Sequence, residues 1–211
     1  MRIHHILDSL TPPVVMRASR NLMRDAGRTR VARRLEAHHR LHLACGNNVL
    51  DGWANIDLES KGAVIGWNLT DRLPIRSGTI ALIYSEHFIE HVTLKQAAAL
   101  LADCHRVLMP NGILRLTTPS LERVIDEYLS GRTQEWRDVG WSPATPCQMV
   151  NGAFRLWGHR FVYDADELKR ILDEAGYRNV TQVAWRESTT PALRGLECRP
   201  FHGEIILEAV K

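Results

Sequence analysis

Short apolar runs closed by turn residues alternate along this chain with stretches of helical periodicity. That alternation constrains the fold more than any other feature. Leu41-His42-Leu43-Ala44 runs into Cys45-Gly46-Asn47-Asn48, which reads as a buried strand ending in a turn. Second and third strands fit Trp53 to Leu58 and Ala63 to Trp67. Ile80-Ala81-Leu82-Ile83-Tyr84 is apolar throughout, as a parallel strand covered on both faces should be. A helix from about Leu94 to Leu108 follows and is stopped by Pro110-Asn111-Gly112. Ile113 to Thr117 is a fifth strand, and Leu121 to about Leu129 a helix. Asp164 caps a further helix with Leu168, Ile171 and Leu172 on one face and Gly176 at its end. The last strands, Val180 to Trp185 and Glu204 to Val210, are joined without a helix, so they can pair antiparallel. The expected class is α/β: a doubly wound, mostly parallel sheet of seven strands with an antiparallel last strand.

A chain of 211 residues suits one domain, with an extension at residues 1–39 and the main domain at 40–211. Pro12 and Pro13 break the start, and a helical pattern runs from Val14 to about Ala37 with Val15, Leu22, Val31 and Leu35 inward. The first forty residues hold nine arginines against three acids. Such a segment can touch nucleic acid, anionic lipid or phosphate. A solvated basic helix packed by one apolar stripe is the preferred reading, because no aromatic residues interleave the arginines. Nucleic acid is therefore disfavoured as a partner, while a homodimer is left open. The four cysteines form no CxxC pair, so neither a zinc site nor a disulfide framework is indicated. With no apolar stretch of membrane-spanning length and no secretory pattern, a cytoplasmic location is the expectation.

The turn at Ala44, Cys45 and Gly46 lets the backbone approach a ligand closely, but it lacks the G-x-G-x-x-G pattern that holds a pyrophosphate. Asp57, at the end of the second strand, can accept hydrogen bonds from both hydroxyls of a ribose. A turn or cap aspartate is the plainer reading of that position. Together, the turn and the acid point to a nucleoside-containing cofactor without phosphates.

Several ordered motifs resemble those of class I S-adenosylmethionine-dependent methyltransferases. They are Leu41 to Gly46, Gly52-Trp53-Ala54-Asn55-Ile56-Asp57-Leu58, Asn68-Leu69 with Leu73-Pro74-Ile75, Ser85-Glu86-His87-Phe88-Ile89-Glu90-His91, Arg106 to Gly112, and Asn151 with Trp157-Gly158-His159. The resemblance implies a Rossmann-like fold, a methyltransferase activity and S-adenosylmethionine as cofactor. It also implies site roles. Ala44 and Gly46 would lie under the methionine part, and Asp57 would hold the ribose. Leu58 and Leu69 would sandwich the adenine with Asn68 near its amine. Ser85 would face the methionine amine, with Glu86 and His91 lining the cofactor pocket. Family members often carry Asp or Glu where His42 stands and Gly where Ala44 stands, so weaker cofactor binding is expected.

His87-Phe88-Ile89-Glu90-His91 also matches the H-x-x-E-H pattern of a zinc protease family. On a helix its two histidines would share a face. With no third ligand at a recognisable spacing, no metal site is expected, and a metal-dependent hydrolase is the remote alternative. Transfer to oxygen or nitrogen requires loss of a proton, for which His159 is the first candidate base and His87 the second. Residues 131–160 form the expected substrate lid. Trp136, Trp141 and Trp157 in it either floor an acceptor site or pack the lid. Arg155 and Arg160 are candidates for an anionic group on the acceptor. The acceptor expected is a small molecule or glycan. RNA or protein methylation and a catalytically weak cofactor-binding module are the alternatives.

Overall fold

The computed structural model describes residues 27–133 and 140–211. Helical positions expected before residue 27, and Trp136, lie outside the described residues. Among the described residues, seven strands form one sheet: β1 (Arg40–Leu43), β2 (Ala54–Asp57), β3 (Ile65–Gly66), β4 (Ile80–Glu86), β5 (Leu108–Thr118), β6 (Arg178–Gln182) and β7 (Ile205–Val210). Their spatial order is β3-β2-β1-β4-β5-β7-β6. β1 to β5 pair in parallel, and β7 inserts antiparallel between β5 and β6. The expected mostly parallel sheet with an antiparallel last strand is thus the observed one.

The main face of the sheet is covered by helices α1 (residues 27–36), α2 (Leu94–Val107) and α5 (Ala165–Glu174). Helix α2 begins with a reciprocal cap, in which Thr93 Oγ1 accepts from Gln96 N and Gln96 Oε1 accepts from Thr93 N. It buries Ala97, Leu100, Leu101, Cys104 and Val107, and each leucine so placed contributes about 1.5–3 kcal/mol. Helix α5 starts at Asp164, whose carboxylate accepts from Glu167 N at 2.7 Å. In α1, Leu35 is fully buried in the main core with Val31 beside it, and the Arg28 guanidinium lies 5.6 Å over the Trp67 ring. This end of the basic segment therefore packs on the domain.

The second face is built differently. Its cluster of Trp53, Leu82, Tyr84 and Leu193 contains no α-helical residue among those described. β1 and β2 are parallel, yet only residues 44–53 join them, and no helix forms there. A crossover of a dozen or more residues is usual between such strands. Here Leu50 and Trp53 cover the sheet in place of a helix.

Helices α3 (Leu121–Ser130) and α4 (Pro146–Arg155) pack on each other beyond the carboxyl end of β5. Helix α4 lies in the segment whose sequence reads as irregular. It is capped by Thr145 and packs through Met149, Gly152 and Ala153. The Pro110-Asn111-Gly112 stretch also departs from expectation. The strand begins at Leu108 and passes through these residues, with Asn111 at φ 64° and a register shift against β4. Among the described residues, no helix is long and apolar enough to cross a membrane.

Candidate active site

The strand order reverses at β1 and β4, so their carboxyl ends open a crevice where ligands of such sheets bind. The turn after β1 follows the expected course. Ala44 and Gly46 both have φ 52°, the left-handed conformation that a side chain disfavours. A Cβ on Gly46 would meet nothing within 4 Å, so its outer side is open to a ligand. Asp57 closes the turn, with Oδ2 accepting from Gly46 N at 2.8 Å and Oδ1 from Leu58 N at 2.6 Å. One lone pair on each oxygen remains, and that spacing suits the adjacent hydroxyls of a ribose. The residues present therefore fit a nucleoside.

The other expected cofactor residues divide into open and closed ones. Leu58 is 71 % exposed, whereas Leu69 is buried in the main core. Asn68 Oδ1 accepts from Thr70 N and Thr70 Oγ1, which turns its amide edge into a fixed loop feature. Buried Ser85 donates to Leu43 O at 3.4 Å and so links β4 to β1 beneath the crevice. Glu86 is buried and accepts from the backbone of Cys198 and Arg199, at 3.2 Å each. It anchors the loop before β7. His42 is 1 % exposed, bonded through Nδ1 to Asn55 Oδ1 at 3.2 Å and set against Tyr84. Burial lowers its pKa and keeps the ring neutral, outweighing the bond to Asn55. His42 thus adds no positive charge near the turn.

A cavity of about 460 Å³ opens beside this crevice. Its walls come from four separate segments: His87, Glu90 and His91 after β4; Pro119, Ser120, Arg123 and Val124 after β5; Trp157 and His159 after α4; and Arg199, His202 and Glu204 before β7. The backbone N–H groups of Arg160 and Phe161 donate to Glu90 O at 2.7 and 3.2 Å, which joins the first and third of these. Both candidate bases and His91 line this cavity. Arg155 and Arg160 are exposed and do not; Arg123 and Arg199 are the arginines that do.

The histidine pattern does not form the helix that two ligands at i and i+4 require. His87 has φ 51°, and only Ile89–His91 make a short 3₁₀ turn. The hydrolase reading therefore loses its geometry. His87 instead sits between two acids, with Nδ1 3.2 Å from Glu90 Oε1 and Nε2 3.6 Å from Glu204 Oε1. Burial pulls its pKa down, but the bonds to Glu204 and Glu90 outweigh this and raise it to about 9. The ring is a cation at neutral pH and cannot serve as a base there. His159 differs. Its Nδ1 lies 2.7 Å from Ala153 O, so that nitrogen carries the proton and Nε2 keeps a free lone pair. Burial lowers the pKa of His159, which keeps it neutral.

Arg123, Arg199, His202 and Glu204 escape sequence reasoning, because no motif or spacing ties them to the turn after β1.

The described arrangement has relatives. A model of the methyltransferase domain matches residues 31–182. No curated protein sequence matches the chain. In fold, it is similar to a SAM-dependent methyltransferase from Archaeoglobus fulgidus, at 15% identity and a TM-score of 0.51, covering 89% of this chain and 94% of that one. A SAM-dependent methyltransferase from Thermotoga maritima aligns at 12% identity and a TM-score of 0.50, covering 91% of this chain and 97% of that one. With most of the chain inside the family model and the sheet order in agreement, the chain belongs to the methyltransferase domain family, the S-adenosylmethionine-dependent enzymes that its motifs resemble.

Proposed function

We propose that the chain methylates an oxygen or nitrogen of a small-molecule or glycan acceptor, which binds in the cavity beside the cofactor crevice. The observation that carries this reading is adjacency. Ser85 and Glu86 end β4 at the crevice, and His87 begins the cavity wall in the next position. A volume of about 460 Å³ fits a small molecule. S-adenosylmethionine supplies a methyl group on a sulfonium, already a good electrophile.

The residues of the chain then bind and orient. Asp57 holds the ribose, and the left-handed turn at Ala44 and Gly46 lets the backbone pass close under the methionine part. Leu58, exposed at the rim, offers an apolar surface for the base, with Asn68 beside it. Across the cavity, the free Nε2 of His159 accepts a hydrogen bond from the acceptor's O–H or N–H and turns its lone pair toward the methyl group. His87, held by Glu90 and Glu204, braces that wall. Trp157 and Val124 exclude water and favour an acceptor with an apolar face.

Two measurements test the reading. Calorimetric titration with S-adenosylhomocysteine should give micromolar binding. Transfer of labelled methyl to a panel of phenols, sugars, carboxylic acids and amines should then find an acceptor. Absence of binding at about 1 mM, the weak limit of specific affinity, overturns the proposal.

A further inference from the structure

Glu90, His91 and His159 converge at one end of the cavity, each offering a ligand atom within 4.8 Å of the other two. We infer that this trio binds a divalent transition-metal ion such as Zn²⁺, with its remaining position open to the acceptor's oxygen. The inference rests on the reading of the cavity as the acceptor site.

Four observations support it. Glu90 is completely buried, and its Oε1 lies between two imidazoles, with His87 Nδ1 at 3.2 Å and His91 Nε2 at 3.9 Å. Against the cost of burial, the pairing with His87 keeps this carboxylate ionised, as a metal ligand must be, and leaves its edge toward His91 open. Second, the outer contacts are those that hold metal ligands in place. His159 donates Nδ1–H to Ala153 O, which presents Nε2 as the ligand atom, and Thr118 Oγ1 donates to Glu90 Oε2 at 3.1 Å. Third, the donor set of two histidines and one glutamate is that of an open zinc site, with three protein ligands and a free position. Fourth, the spacing is attainable. Ligands at about 2.0–2.2 Å from a tetrahedral ion stand about 3.3 Å apart, so with all three atoms within 4.8 Å of one another no pair needs to close by more than about 1.5 Å. His91 is 30 % exposed, and the His159 ring meets it edge-on at 5.1 Å between centroids. The His91 ring borders open space and can turn toward His159, which Ala153 O holds in place.

With the ion bound, the Nε2 lone pair of His159 goes to the metal, and the acceptor's hydroxyl oxygen binds the ion instead of the ring. That oxygen then loses its proton to cavity water. As the oxygen–carbon bond forms, the carbon–sulfur bond of the sulfonium breaks, and the neutral thioether leaves. Oxygen acceptors able to bind a metal, such as phenols and hydroxy acids, are the class this site selects.

The experiment uses the full chain stripped with chelator, then titrated with Co²⁺ under visible absorption and with Zn²⁺ in competition. One Co²⁺ per chain should bind, with the intense bands of four- or five-coordination, and Zn²⁺ should displace it. The double variant His91→Ala/His159→Ala should bind Co²⁺ on the order of 100-fold more weakly. It leaves the buried Glu90 in place, and unchanged S-adenosylhomocysteine affinity would show that it folds. No Co²⁺ or Zn²⁺ binding at about 1 mM, or binding undiminished in the double variant, overturns the metal site. If S-adenosylhomocysteine still binds in that case, the methyltransferase reading stands without it. Co²⁺ binding with no S-adenosylhomocysteine binding would overturn the acceptor role of the ion.

Discussion

Replacing Asp57 with alanine removes a carboxylate that closes the turn after β1 and, on the proposed reading, also holds the ribose; the two effects differ in magnitude. Toward the protein, it accepts from Gly46 N and Leu58 N. Both donors sit in exposed loop backbone and can turn to water when the acceptor goes, so the folding cost is about 1 kcal/mol or less. Toward the cofactor, on the proposed reading, one lone pair on each oxygen is left for a ribose hydroxyl. Hydrogen bonds to a charged group contribute about 1.5–3 kcal/mol each. Water competes at this rim, so the lower figure applies to both bonds. The sum is about 3 kcal/mol, on the order of a 100-fold rise in Kd for S-adenosylhomocysteine. Asp57→Asn keeps one acceptor oxygen and should fall between the wild type and alanine. Calorimetry on the three proteins measures this, with thermal unfolding as the control. Analogues lacking the 2′ or 3′ hydroxyl complete the cycle, because each deletion should matter much less in the alanine variant. An alanine variant that binds within threefold of wild type would refute the ribose assignment.

Three further outcomes follow from the geometry. Arg115 in β5 is fully buried and donates to the buried carboxylates of Glu197 and Glu208, so Arg115→Met should destabilise the fold by about 3–5 kcal/mol in urea unfolding by stranding both; adding Glu197→Gln and Glu208→Gln should restore much of the loss. The pKa of His42 is lowered by burial, despite the bond to Asn55 and the fields of Glu86 and Asp57. A group depressed in the folded state keeps its full contribution above its unfolded pKa of about 6.5 and loses it as pH falls toward the folded value. The stability margin of wild type over His42→Phe should therefore narrow between about pH 7.5 and about pH 5.5, and a constant margin would contradict this. Gly152→Ala places a methyl group inside the Trp141 ring, which meets Trp157 edge-on at 5.6 Å between centroids. Losing that aromatic pair, worth about 1 kcal/mol, should alter tryptophan fluorescence and weaken acceptor binding about fivefold, with S-adenosylhomocysteine affinity unchanged.

Most strands and the turn after β1 were legible because each is a local pattern. Ile80 to Tyr84 is a short apolar run behind a glycine turn, which reads as a doubly covered strand, and Ala44 to Gly46 with Asp57 lie thirteen positions apart at most, on neighbouring strand ends. Helix α4 was not legible. Pro146-Cys147-Gln148-Met149-Val150-Asn151-Gly152 has poor helical propensity, and the helix is held by its Thr145 cap and by packing on α3. The start of β6 was misplaced toward its end because Asn179 takes φ 51° and breaks the alternation. The cavity escaped for a different reason. Residues 87–91, 119–124, 157–159 and 199–204 meet only through the sheet order, and no spacing in the chain records that meeting.

Arg115 also decides which part of the cavity can adapt. From the middle of β5 it donates Nε to Glu197 and Nη1 to Glu208 on β7, at 2.7 and 2.6 Å. Glu86 grips the next two residues, Cys198 and Arg199, from the end of β4. The wall bearing Arg199 and Glu204 is thereby riveted to the sheet at two points and acts as a fixed gauge. The facing wall hangs from the end of α4, on Trp157 and Gly158 in left-handed conformations at φ 56° and 83°. If the cavity takes the acceptor as proposed, one that is a group larger finds its room on that side. New acceptor preferences can therefore be grafted by exchanging residues 141–159 while the sheet, and the cofactor crevice above it, stay as they are.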